Sequence, residues 1–495
     1  FPAARRRFAA LLTVAVVVTT LVVPGPSYAA DGDVERLVAA LLGPMPMIDD
    51  LLELTDTIGG RPTGSEANLR SVDWSLEKFR QAGVTARKEA FQMPALWLGG
   101  AATVEVRGKG VAFSPAIAAM PFSTGTVSLQ APLVDGGHGT EEDFARLGAK
   151  AKGTVVLIET EELVDLAGLF KEYRGNAAIE PRAFAAGVAG VIYMGSRSRD
   201  ILHRHNAALG PANQHPVLAM ERNGARRALR LLRGGTALTL TAEVEVESGG
   251  PYESYNPIGE IKGSAEPEEI VVIGAHIDSW GLGTGALDNG CNVAMLIDIA
   301  RQMQRLGIVP RRTIRFALWN GEEQGFGGSR GYVEAHQTEL DQHVLAASID
   351  IGSGRMAGFF TGGRPEILAA VEQALQPVAG LGPFVNVDVP IVGTDNYDFM
   401  VHGVGNLVGN QVSANYGPNY HARSDTFDKV DQKQLRLNAA IVAAVTYGFA
   451  EMEVDWQRQN RAEIQELVDS TGMGTDMKAF GLYDSWTDKT RGRRD

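Results

Sequence analysis

From Gly250 onward two kinds of apolar pattern alternate. Ile270–Ala275, Thr313–Trp319 and Val344–Ile349 are near-continuous apolar runs, short enough for strands and too apolar for a half-exposed face. Such runs predict strands covered on both sides. Between the first two, Asn292–Leu306 repeats its apolar residues at helical spacing behind a glycine-rich stretch. Strand, loop, helix, strand in this order predicts an α/β fold with a mostly parallel central sheet flanked by helices. Residues from about Val34 to Ala90 read as helical: Leu51, Leu52 and Leu54, then Trp74, Leu76 and Phe79, are separated by the turn-rich Gly59–Ser65, and Ser65 with Asn68 marks a helix start. From roughly Gly110 to Glu247 the texture changes to short strands at Thr154–Ile158 and Gly190–Tyr193, with helices at Glu141–Leu147 and Arg182–Ala189. That predicts a smaller α/β or β-rich insert. The expected division is a first part of the main domain at 34–110, the insert at 111–248, the main part at 249–465 and a C-terminal extension at 466–495, whose last residues from Asp488 are expected to fray.

The N-terminal thirty residues have a different logic. Arg5, Arg6 and Arg7 precede an uncharged run from Phe8 to Val23, followed by Pro24, Gly25 and Pro26 and the small residues Ser27, Ala29 and Ala30. This is the pattern of a cleaved signal peptide over 1–30. As a helix the apolar run reaches roughly 24 Å, short of a bilayer core of about 30 Å, so no stable membrane insertion is expected after cleavage. The expected location is secreted, or extracytoplasmic. With 495 residues, two or three folding units are expected at about 100–200 residues each. The 46 Lys and Arg against 59 Asp and Glu leave a net charge of −13, which repels polyphosphate and argues against a nucleic-acid partner. The single cysteine, Cys291, has no partner for an intramolecular disulfide.

Chemistry-bearing residues collect at the ends of the predicted core strands. His276-Ile277-Asp278 follows the first strand and Asp288-Asn289-Gly290 opens the helix after it. Asn320-Gly321-Glu322-Glu323 ends the second strand, Asp350 ends the third, and His421 precedes a polar turn containing Asp425. Open α/β sheets bind ligands beyond these carboxyl ends. Each residue alone has an ordinary alternative: a satisfied buried histidine, or an acid capping a helix. Together, imidazole nitrogens and carboxylate oxygens without thiolates suit a borderline divalent metal such as zinc. Five such ligands with one central carboxylate suggest two ions sharing a bridge, about 3.5–4 Å apart.

Ile270–Ser279, Gly285–Gly290, Asn320–Gly325 and the His421 segment together resemble family M28, the co-catalytic zinc exopeptidases. Asp278-Ser279-Trp280 with Gly283–Asp288 is similar to the carboxypeptidase Q branch, and Ala185–Ile192 resembles part of a protease-associated domain. The resemblance implies a zinc exopeptidase fold with a protease-associated insert and two zinc ions per chain. By it, His276 and His421 each bind one ion, Asp288 bridges, and Glu323 and Asp350 complete one ion each. Glu322 is the general base acting on a metal-bridging hydroxide, and Asp278 accepts from the other nitrogen of His276. The peptide from Asp288 to Asn289 is expected to be cis, and Cys291 and Asn292 stand where smaller residues are expected. The implied substrate is a peptide or dipeptide cleaved at its terminus, with aminopeptidase action expected first. A carboxypeptidase Q-like dipeptidase or carboxypeptidase is the alternative, and a catalytically silent receptor-like protein the further one. Arg330, Arg355 and Arg423 are candidate partners for a terminal carboxylate. Tyr397 and Tyr420 are candidate oxyanion donors, with core packing as the competing role. The insert is expected either to cover the cleft or to form a homodimer surface.

Overall fold

The computed structural model describes residues 31–124, 127–204 and 210–495. The signal-peptide expectation for 1–30 lies outside them. Among the described residues fifteen strands follow in chain order: β1 Thr85–Met93, β2 Leu96–Gly108, β3 Val111–Phe113, β4 Ile117–Ala119, β5 Val127–Asp135, β6 Val155–Ile158, β7 Gly190–Met194, β8 Val217–Met220, β9 Leu238–Gly249, β10 Tyr252–Ile261, β11 Glu266–His276, β12 Arg312–Trp319, β13 His343–Ser348, β14 Met356–Phe360 and β15 Asn406–Gln411. They form a seven-stranded sheet in the order β1-β10-β12-β11-β13-β15-β14 and an eight-stranded sheet in the order β3-β2-β9-β5-β6-β7-β8-β4.

In the first sheet β12, β11, β13 and β15 run parallel, while β1, β10 and β14 are antiparallel additions at the edges. The predicted apolar runs are the parallel centre. Alternation along them feeds two layers: Val271, Ile273 and Ala275 join the core beneath the helices Cys291–Leu306 and Gln432–Glu451, whereas Ile270 and Val272 join Trp319, Tyr332 and Phe399 on the other face. Ser65 caps the helix Glu66–Gln81 by accepting from the Asn68 N–H, at the predicted start. Among the described residues, no helix is long and apolar enough to cross a membrane.

Four expectations change. Residues 85–93 are not helical: they form β1, an edge strand paired only with β10, where one-sided pairing tolerates the charges that obscured its alternation. The second sheet begins at Leu96 rather than 111, because β2 pairs with β9 from Leu96↔Gly249 to Gly108↔Leu238. The helix expected at Arg182–Ala189 spans Leu166–Ala185, with Asp165 as its cap and Pro181 inside it rather than at its start. The C-terminal residues do not fray: Arg491 is buried with its guanidinium on Asp398, the Arg493 N–H donates to the Val401 carbonyl at 2.8 Å, and the Asp495 carbonyl accepts from Arg461 N–H at 3.0 Å.

Candidate metal centre

Because β11 lies between β12 and β13, the three loops leaving their carboxyl ends are neighbours. His276 closes β11, Glu322 and Glu323 follow β12, and Asp350 follows β13. Asp288 enters from the loop ahead of the helix Cys291–Leu306, and His421 from the turn after the short helix Tyr416–Asn419. All of these side chains are buried.

They converge as two trios sharing one carboxylate. His276 Nε2 lies 3.1 Å from Asp288 Oδ1 and 3.0 Å from Asp350 Oδ1. His421 Nε2 lies 2.7 Å from Glu323 Oε2 and 3.4 Å from Asp288 Oδ2. Each oxygen of Asp288 thus serves a different histidine. Asp288 Oδ2 and Glu323 Oε1 are buried without a hydrogen-bond partner, and His276, Asp288 and Glu323 offer ligand atoms all within 4.8 Å of one another. Buried carboxylate oxygens with no donor are expensive unless a cation meets them, so the donor set fits divalent metal. The peptide from Asp288 to Asn289 is cis.

Burial, with neighbouring carboxylates, raises the Glu322 and Glu323 carboxyls well above their ordinary range. Burial alone would lower His276, but Asp350 and Glu322 beside it hold it well above its ordinary value. The cluster is therefore a concentration of negative charge in low dielectric.

Residues 256–446 match Peptidase family M28. A carboxypeptidase Q from Xenopus laevis is 30% identical over 420 residues, covering 80% of this chain and 84% of that one. The chain belongs to peptidase family M28. A peptidase M28 precursor from Shewanella amazonensis has a TM-score of 0.77 at 27% identity, over 87% of this chain and 98% of its own. BSAP, a zinc aminopeptidase from Bacillus subtilis, has a TM-score of 0.65 at 21% identity, over 83% and 96%, and shares the fold. As a member of M28 the chain is a metallopeptidase with the zinc exopeptidase fold.

Within this M28 fold the role expected of Asp278 changes. His276 Nδ1 meets the backbone carbonyl of Asp278 at 3.0 Å, while the carboxylate oxygen is 3.6 Å away. The carboxylate instead accepts from the Glu322 and Glu323 N–H groups at 3.2 and 3.3 Å and from Thr63 Oγ1 at 2.8 Å. It orders the glutamate turn, and its own carbonyl orients the histidine.

The substrate-binding candidates divide. Tyr420 stacks on the His421 ring at 3.7 Å between centroids, and its hydroxyl meets that of Tyr173 at 2.9 Å. Tyr397 is packed in the core beside Phe326 and Arg491 and is not among the residues lining the cavity. Arg423 is exposed and does not line the cavity; Arg330 pairs with Glu334 and Arg355 reaches the Pro383 carbonyl, both at the surface.

A cavity of about 220 Å³ opens over the M28 centre. Asp288, Glu322, Asp350 and His421 form its polar side, and Leu169, Phe170, Tyr173, Val392 and Phe480 are among its apolar walls. No Lys or Arg is among the described residues lining it.

Three supporting groups escaped the sequence reading of their roles. Asp425 accepts from the Leu287 and Asp288 N–H groups at 2.7 and 3.1 Å, and burial raises its carboxyl to about 7. Asn289 donates to Asp350 Oδ1 at 2.8 Å and is itself held by Asn292 at 2.6 Å. This gives a function to the departure at 292, while Cys291 is simply buried. Arg61, whose burial lowers its guanidinium to about 10, ties together the carbonyls of Gly59, Ile277, Thr284 and Gly285. Only the clustering of turn residues around Arg61 signalled this loop, because these groups act on backbone atoms that no motif displays.

Proposed function

We propose that this chain is an aminopeptidase holding two zinc ions at the paired trios, with His276 and Asp350 on one, His421 and Glu323 on the other, and Asp288 between them. The observation that carries the two-ion reading is the opposite allegiance of the two Asp288 oxygens. Zinc bound there would polarise the scissile carbonyl as a Lewis acid and acidify the attacking water from 15.7 towards roughly 7. Glu322, on the cavity wall and kept easily protonated by burial, takes that water's proton and delivers it to the departing amine. Glu323 is turned to His421 and does not share this role. Asp278 holds both glutamates in place through their N–H groups.

The choice of substrate end rests on the cavity. Recognition of a terminal carboxylate calls for a nearby cation, and no Lys or Arg is among the described lining residues, whose polar groups are carboxylates, His421 and the hydroxyls of Thr394 and three tyrosines. A free amine and an apolar side chain suit it better. The carboxypeptidase Q-like reading is favoured by the 30% identity to the Xenopus laevis protein of that name. The test is hydrolysis of aminoacyl anilides, free dipeptides and N-blocked peptides, before and after chelation and zinc restoration. Zinc-dependent hydrolysis of apolar anilides is expected. Cleavage confined to dipeptides, or to blocked peptides from the carboxyl end, would replace the aminopeptidase reading with the carboxypeptidase Q-like one. No turnover with zinc bound would favour the receptor-like alternative.

A further inference from the structure

His421 is the site residue whose position depends most on the inserted segment. Its φ is +54°, in the left-handed region that side-chain-bearing residues seldom adopt. The turn carrying it is short, and beside its own Ala422-to-Asn419 backbone bond it is held by several atoms of the loop after β7, in the other sheet. Arg197 donates through both Nε and Nη2 to the Tyr420 carbonyl, at 3.0 and 2.8 Å. The Arg204 N–H donates to the His421 carbonyl at 2.9 Å, and the Arg423 N–H returns a bond to the Leu202 carbonyl at 2.8 Å. His203 and Ala422 form an antiparallel bridge between them. The backbone on both sides of His421 is thereby sewn to the insert.

Arg197 is the unusual member of this seam. Its side chain is 0% exposed, which for a guanidinium is costly unless charge and hydrogen bonds compensate. Compensation comes from Ser196 Oγ, at 2.7 Å from Nη1, and from Glu172, whose nearest oxygen is 3.7 Å away. Glu172 belongs to the helix Leu166–Ala185, which also supplies Leu169, Phe170 and Tyr173 to the cavity wall. One buried charge therefore links the wall of the cavity to the backbone of a metal-facing histidine. A helix that only covered the cleft would have no need of it.

We infer that Arg197 is a positioning residue for the His421 half of the metal centre, so that the insert completes one metal half-site rather than merely shielding it. This rests on the two-zinc reading above. By holding the Tyr420 carbonyl, the guanidinium fixes the turn from which the imidazole reaches Glu323 and Asp288. The other half, built from His276 and Asp350 at the ends of β11 and β13, takes its backbone from the parallel strands and shares Asp288 with the His421 half.

The experiment is zinc content and stepwise zinc affinity of the full chain, by elemental analysis across a graded chelator series, for wild type, Arg197→Gln and Arg197→Lys. Wild type is measured first: fewer than two zinc ions per chain would overturn the two-zinc reading and this inference with it. With two present, Arg197→Gln should weaken one zinc step by about 10–100-fold, the range for losing a group that orients a ligand, and leave the other step unchanged. Arg197→Lys keeps the charge but not the two-pronged bond, so it should fold and lie between the two. Excess zinc should restore kcat of both variants with KM near wild type. Unchanged zinc steps in a folded Arg197→Lys, or equal weakening of both steps, would show that Arg197 only stabilises the fold.

Discussion

At the scale of single residues, Glu322 and Glu323 are neighbours in sequence with different surroundings. Glu323 faces His421, whereas Glu322 faces the cavity. A general base contributes about 100- to 10,000-fold, so Glu322→Gln should lower kcat by two to four decades while zinc per chain stays at the wild-type value. Near-normal turnover in that variant would remove Glu322 from the proton path. The side chains that meet at the centre were legible because each closes a predicted apolar strand or opens the next turn. Of the two roles open to Tyr397, the packing of its ring on Arg491 and Phe326 fits the core one, a distinction that a tyrosine near a polar loop does not carry in its sequence.

At the scale of elements, β11 shows how tightly the central strands meet. A Cβ on Gly274 would stand 2.0 Å from the Trp319 indole nitrogen, and Trp319 is wedged between Tyr332 and Phe399. Gly274→Ala should therefore destabilise by about 1–3 kcal/mol, read as a lower urea midpoint. An unchanged midpoint would show that the indole moves freely. The start of β13 sets an acid limit. His343 donates from Nδ1 to the Glu339 carbonyl at 2.9 Å and meets the Tyr332 hydroxyl at 2.9 Å through Nε2, and burial lowers it to about 4. Below its ordinary value of 6.5 the unfolded chain takes up a proton that the folded one refuses, so stability falls as pH drops from about 6.5 to 4. The depression is worth about 3 kcal/mol. The stability difference between wild type and His343→Gln should shift by about that amount, against wild type, between pH 7 and pH 4. A difference independent of pH would mean that His343 takes up its proton as readily in the fold as in the unfolded chain.

At the scale of the whole molecule, the C-terminal residues are part of the packed body. Arg491 sits on Asp398, both buried, over the rings of Phe326 and Tyr397. Removing one partner of a buried pair leaves an uncompensated charge and costs about 3–5 kcal/mol. Arg491→Met should lower the thermal midpoint accordingly, whereas a frayed tail would register no change. The position of Arg491 near the Gly325 carbonyl, at 3.4 Å, ties this tail to the loop that follows Glu322 and Glu323.

Runs of a few residues were enough to read the α/β class, the parallel central strands, the start of the helix at Ser65 and the positions of His276, Asp288, Glu323, Asp350 and His421 beyond the strand ends. Burial on both faces and a strand's end are local properties, written in runs of a few residues. The compact chain was needed to show that β2 belongs with β9 across more than a hundred residues, that Asp278 orders the glutamate turn, that the tail is docked, and that Arg197 reaches Tyr420. Those outcomes depend on which distant backbone groups need a partner once the chain is compact, and a buried N–H or carbonyl leaves no mark on the residue type that carries it.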